Sequence, residues 1–143
     1  MYQLSIHGTS ERVTASAGPG LRCLVQAERT TGLSGQEVAL TVNVHNPGAE
    51  TVRLTARLSL YRDTADGESR SRSRLLEMEL PPSAVWTTTL FETLRTDHEV
   101  GVRAALGVYD VSGLLAAYDE DHLVVTPGRP APRAPASGSM RAA

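Results

Sequence analysis

Lysine is absent from this 143-residue sequence: all 14 basic side chains are arginine, set against 16 carboxylates for a net charge of -2. That balance offers a polyanion no overall attraction, so the expected partners do not include nucleic acid. The arginine bias reads as codon usage rather than function, although arginine holds carboxylates in more persistent planar contacts than lysine. Cysteine is nearly absent too. Cys23 stands alone, so no intrachain disulfide can form and the stapled architecture of small extracellular domains does not apply. Long apolar runs are missing, and the opening MYQLSIHGTS has neither a basic n-region nor an apolar h-region, which leaves no membrane span and no secretory signal in view. A reducing compartment follows, and the expected location is cytoplasmic.

The chain is the common size for one domain, and 41% hydrophobic content fills one core, so a second globular domain is not expected. Residues 1–20 are scattered polar and small residues ending in Ala17-Gly18-Pro19-Gly20, a breaker cluster that reads as a flexible N-terminal segment. At the other end, residues 127–143 hold Pro127, Pro130, Pro132 and Pro135 among Ala, Gly and Ser. Such a stretch buries too little apolar surface to offset chain entropy, and it reads as a disordered Pro/Ala-rich tail. The folded domain should occupy residues 21–126.

Within that span the apolar period is two. Leu21, Cys23, Val25 and Ala27 alternate with Arg22, Leu24, Gln26 and Glu28 before a turn at Gly32-Leu33-Ser34-Gly35. Val38, Leu40, Val42 and Val44 face one way while Ala39, Thr41, Asn43 and His45 face the other, which is a half-buried strand and not a helix. Asn46-Pro47-Gly48 closes it, and Val52 to Tyr61 returns as a long partner strand. Asp63 to Arg74, DTADGESRSRSR, lacks apolar spacing and reads as a long exposed connection. Leu76, Met78 and Leu80 resume the alternation up to Pro81-Pro82-Ser83. Ala84 to Phe91 follows, with Trp86 as its core anchor. Glu92 to His98 has room for a short turn of helix. Val100 to Val108, a turn at Asp110-Val111-Ser112-Gly113, and Leu114 to Val125 complete the series, with a bulge expected near Asp119-Glu120-Asp121. About seven strands with turn signals between them predict an all-β, immunoglobulin-like two-sheet β-sandwich.

Few constellations carry chemistry. Cys23 sits at an inward strand position, where a thiol behaves as a small hydrophobe with a raised pKa, so it is read as structural rather than nucleophilic. His7, His45, His98 and His122 show no metal-ligand spacing. Asp119-Glu120-Asp121 with Asp110 offers hard oxygen ligands without the glycine and spacing of a calcium loop, and reads as a solvated strand end. Neither Gly18-Pro19-Gly20 nor Gly32 to Gly35 precedes a helix, so no phosphate cradle is formed. No catalytic residue, cofactor site or metal site is assigned. Arg70, Arg72 and Arg74 alternate with Ser71 and Ser73, and an extended segment would align three guanidinium groups on one side. Two readings stand: a charged sheet edge that discourages aggregation, or a docking stripe for an acidic or phosphorylated partner.

The order of features from about Leu21 to Val125 resembles the first β-domain after the catalytic core in the transglutaminase family. The pieces that carry the resemblance are Gly35-Gln36-Glu37-Val38 leading into Leu40 to Pro47, then Leu54 to Tyr61, Leu80-Pro81-Pro82-Ser83, and Asp119-Glu120-Asp121-His122-Leu123. In that family a Cys-His-Asp triad on a separate papain-like core makes a thioester with a glutamine side chain. This sequence does not contain that core. The resemblance therefore implies a non-catalytic domain that packs against a transglutaminase catalytic core or another protein and regulates access or partner binding. No site residue transfers to a numbered position. The rival expectation is an independent immunoglobulin-like binding or inhibitor-like module of unrelated family, which works through loops at one end of the sheets. Oligomeric state is left open by the sequence.

Overall fold

A computed structural model describes residues 20–128. The expected flexible segment 1–20 and tail 127–143 fall outside these residues, apart from Gly20, Pro127 and Gly128. Eight strands form: β1 (Arg22–Ala27), β2 (Thr31–Leu33), β3 (Glu37–His45), β4 (Val52–Thr64), β5 (Gly67–Leu80), β6 (Val85–Thr93), β7 (Val100–Tyr109) and β8 (Leu115–Thr126). They make a three-stranded sheet in the order β1-β3-β6 and a five-stranded sheet in the order β2-β8-β7-β4-β5. The fold is an immunoglobulin-like two-sheet β-sandwich, as the alternation predicted.

The core is built by the inward positions of both sheets. β3 buries Val38, Leu40, Val42 and Val44, while Leu54, Ala56, Leu58 and Leu60 of β4 and Val102, Ala104, Leu106 and Val108 of β7 meet them from the other sheet. Each fully buried Val or Leu contributes about 1.5–3 kcal/mol relative to exposure, so these alternations fix the register: a one-residue slip would turn every one of them outward. Cys23 is buried on β1 within this core. Asn46 ends β3 as a buried staple. Its Nδ2 donates to Glu50 O at 2.8 Å and is shared between Leu80 O and Pro81 O at 3.1 Å, while Oδ1 accepts Gly48 N at 3.0 Å. The β3–β4 turn is thereby tied to the end of β5.

Five expectations are corrected. The eighth strand, β2, lies inside the segment read as a turn; only Thr31, Gly32 and Leu33 pair, parallel to Val124, Val125 and Thr126, too short a run to show a period. The exposed connection from Asp63 to Arg74 is instead a hairpin, since β4 continues to Thr64 and pairs with β5 from Gly67 onward. Strand pairing needs backbone bonds, and apolar alternation appears only where one face is dry. Glu92 to His98 forms no helical turn; β6 runs through Thr93 and Leu94 is buried, 4% exposed. The bulge in β8 falls at Ala116, because Val108 pairs with Ala117 and Tyr109 with Leu115, whereas pairing through Asp119 to Asp121 is unbroken. Trp86 is only partly buried and packs against the rim of the core.

Candidate functional site

Successive side chains alternate between faces, so the registers that build the core also fix the outer face of the five-stranded sheet. Tyr61 of β4 is the cross-strand partner of Arg103 of β7, and Gly107 of β7 pairs with Arg57 of β4 and Tyr118 of β8. All of these positions, with Tyr109, look away from the core.

Arg103 sits at the centre of this face. Its guanidinium stacks 4.4 Å from the centroid of the Tyr61 ring. Nε and Nη2 donate to the two carboxylate oxygens of Glu68 at 3.0 and 2.9 Å, and Nη1 donates to Tyr118 Oη at 2.9 Å and Glu120 Oε1 at 3.1 Å. The Tyr118 hydroxyl donates to the same Glu120 oxygen at 2.9 Å. The Glu68 hydrogen bond, against a smaller opposing cost of burial, holds Arg103 more firmly protonated than a free guanidinium. The Arg103 hydrogen bond in turn draws Glu68 below its ordinary carboxylate value. Burial, then the bond to Glu120, pushes the Tyr118 phenol up to about 12. All three shifts favour a charged Arg103, an ionised Glu68 and a neutral Tyr118 near neutral pH.

Beside it, Tyr109 lies back across Gly107: a Cβ at 107 would meet Tyr109 Oη at 2.9 Å, so a larger residue would lift the ring from the sheet. Arg57 stands 6.0 Å from the Tyr109 centroid. The result is a carpet of tyrosine rings and arginines held on rigid strands. Planar amphipathic groups are thereby presented with little conformational freedom left to lose.

The predicted stripe is divided. Leu60 pairs with Arg72 and Tyr61 with Arg70, which leaves Ser71 as the extra residue of a bulge and its hydroxyl donating to Leu60 O at 3.3 Å. The bulge puts Arg70 on the outer face with Tyr61 and turns Arg72 and Arg74 inward, in register with Leu60 and Leu58. There they meet Glu92 of β6, whose side chain is 3% exposed. Arg74 Nε donates to Glu92 Oε2 at 2.7 Å and Nη2 reaches Phe91 O at 3.4 Å. Arg72 Nη1 lies 3.2 Å from Glu92 Oε1 as an ion pair only, with no donor aimed at that oxygen. Two of the three arginines of the stripe thus bridge β5 to the inward Glu92 of β6. The opposite seam is closed by Asp119 and Asp121, read from sequence as a solvated end. Both are inward on β8, and their Oδ2 atoms accept Val25 N at 2.9 Å and Ala27 N at 2.8 Å on the edge of β1. The outward N–H groups of an edge strand need acceptors, and these carboxylates supply them.

No protein-family model matches the sequence, and no curated protein matches it. Solved structures do share the architecture. The sporulation control protein Spo0M of Bacillus subtilis superposes with a TM-score of 0.57 at 20% identity over 74% of this chain. The alkylpurine DNA glycosylase AlkC of Pseudomonas fluorescens gives 0.54 at 8% identity over 74%, and a Bacteroides uniformis β-glucuronidase 0.53 at 14% over 70%. These likenesses show the fold. The chain spans about half of Spo0M (49%) and smaller parts of the other two, 30% and 12%.

The Arg103 cluster was not singled out from sequence. Its signal was present in the outward members of each alternation, Arg57 and Tyr61 on one strand, Arg103 and Tyr109 on another, Tyr118 and Glu120 on a third. Only the pairing order of β4, β7 and β8 brings them together.

Proposed function

We propose that this chain is a non-catalytic β-sandwich module that works by protein–protein contact, with the Arg–Tyr face of the five-stranded sheet as its recognition surface. The observation that carries this reading is the ordered set of Tyr61, Tyr109 and Tyr118 around Arg57 and Arg103. Tyrosine and arginine are the residues that concentrate binding energy at protein interfaces. Sandwiches of this shape stand within longer chains in the structures it resembles, which supports a modular use. The sequence resemblance makes a transglutaminase catalytic core the first partner to try, with the chain acting as a regulatory domain against it.

The test is calorimetric titration of the chain into a transglutaminase catalytic core, with amine incorporation into a glutamine peptide followed in parallel. The chain alone should incorporate no amine. Saturable binding to the core should weaken by about 2 kcal/mol in Tyr109→Ala, the order expected for an interface anchor. Absence of binding to the core would favour an independent immunoglobulin-like module with a different protein partner. Amine incorporation by the chain alone would overturn the non-catalytic reading.

A further inference from the structure

A two-sheet sandwich has four edges, and three of these are visibly protected. β1 has its outward amides taken by Asp119 and Asp121. β2 is three residues long. β5 is bulged at Ser71 and studded with Glu68, Arg70, Arg72 and Arg74. Short strands, bulges and inward charges are the devices by which edges avoid pairing with other chains.

β6 has almost none of them. It pairs with β3 without a break in register from Val85 to Thr93 and carries no proline, glycine or charge between Val85 and Phe91. The Arg74 bond to Phe91 O shows that the main chain of Phe91 faces away from β3. In an antiparallel ladder alternate residues share that direction, so Val85, Thr87 and Thr89 also direct their N–H and C=O groups to the open edge. All four residues are exposed, Val85 at 58% and Phe91 at 53%.

The sequence of this edge is symmetric about Thr88: Thr87 mirrors Thr89, Trp86 mirrors Leu90, and Val85 mirrors Phe91. We infer that β6 is a homodimerisation edge, pairing antiparallel with β6 of a second copy about a two-fold axis at Thr88. In that register Val85 faces the second copy's Phe91 and Thr87 its Thr89, each residue offering its open-edge N–H and C=O. The β-branched–aromatic and Thr–Thr cross-strand pairs are favourable, and no like charges meet. Such a contact is isologous and closes on itself, so it yields a dimer and not a fibre. It joins two three-stranded sheets into one continuous sheet and displaces only the 3.4 Å Arg74 bond at Phe91. This edge belongs to the three-stranded sheet, and the inference is independent of the Arg–Tyr face.

The test is sedimentation equilibrium of the full chain together with three variants. The wild type should show a reversible monomer–dimer equilibrium. Thr88→Cys should form a disulfide dimer under copper-phenanthroline oxidation, because a two-fold non-hydrogen-bonded pair sets its Cα atoms about 4.5 Å apart, within disulfide reach. Thr89→Cys, whose copies are diagonal in this register, should not. Thr89→Pro removes an open-edge donor without touching the bonds to β3, and should leave a folded monomer by circular dichroism. If that variant fails to fold, Val85→Lys with Phe91→Lys sets lysine against lysine at exposed positions and should abolish the dimer. A wild-type chain that stays monomeric at every concentration would overturn the inference. So would a dimer that survives both the proline and lysine variants, or equal cross-linking at 88 and 89.

Discussion

Ser83 holds a left-handed backbone with φ 66° in the turn between β5 and β6. Ala84 N donates to Pro81 O at 3.1 Å, and Pro82 then Ser83 occupy the two central positions, the pattern of a type II turn whose second central residue favours glycine. Ser83→Gly should therefore raise stability by about 0.5–1 kcal/mol, the strain relieved exceeding the entropy that glycine adds to the unfolded chain. A higher melting temperature checks it. Tyr118 gives a second residue-scale expectation. Its phenol ionises near 10 in an unfolded chain and at about 12 in the fold. Because the folded value is the higher one, its contribution is complete below pH 10 and is lost as pH rises toward 12. Tyr118→Phe should make the stability curve flatter across that window, read by denaturant titrations on either side of it.

At the scale of the element, the two seams decide how the sheets are held together at their margins. Removing a buried acceptor from an edge amide costs more than removing a half-solvated one, so Asp119→Ala should destabilise by about 2–3 kcal/mol and Asp121→Ala by about 1. Amide hydrogen exchange should accelerate at Val25 in the first variant and at Ala27 in the second. Strands with one dry face were legible in the sequence, because burial writes a period of two into β3, β4 and β7. The distal part of β5 was not, since Glu68 to Arg74 is wet on both faces and leaves no period. Bulges were equally hidden. One inserted residue at Ser71 reverses the face of everything beyond it, which is why an alternating Arg-Ser run became one outward arginine and two inward ones. The inward carboxylates of β8 looked like a solvated end for a related reason: their partners are backbone amides of β1, nearly a hundred residues away in sequence, and backbone donors have no signature.

Over the whole molecule, the two outer faces differ in kind. The five-stranded sheet presents arginine, tyrosine and glutamate, whereas the three-stranded sheet presents Thr41, Asn43, Thr87, Thr89 and Phe91 with little charge. Among the described residues no helix is long and apolar enough to cross a membrane. The order of strands also has a mechanical consequence. β2 runs parallel to β8, with Val124 N donating to Thr30 O at 2.9 Å and Ser34 N to Thr126 O at 2.8 Å. Tension applied through the chain on either side of the sandwich enters at β1 and at β8; once transmitted past β1 it pulls β2 and β8 in opposite directions along their lengths, so their hydrogen bonds must be sheared together and cannot be unzipped one at a time. Val124→Pro, which removes one of those donors, should lower the unfolding force in single-molecule pulling more than a proline placed on β6. The shortest strand in the fold would then be its mechanical clasp.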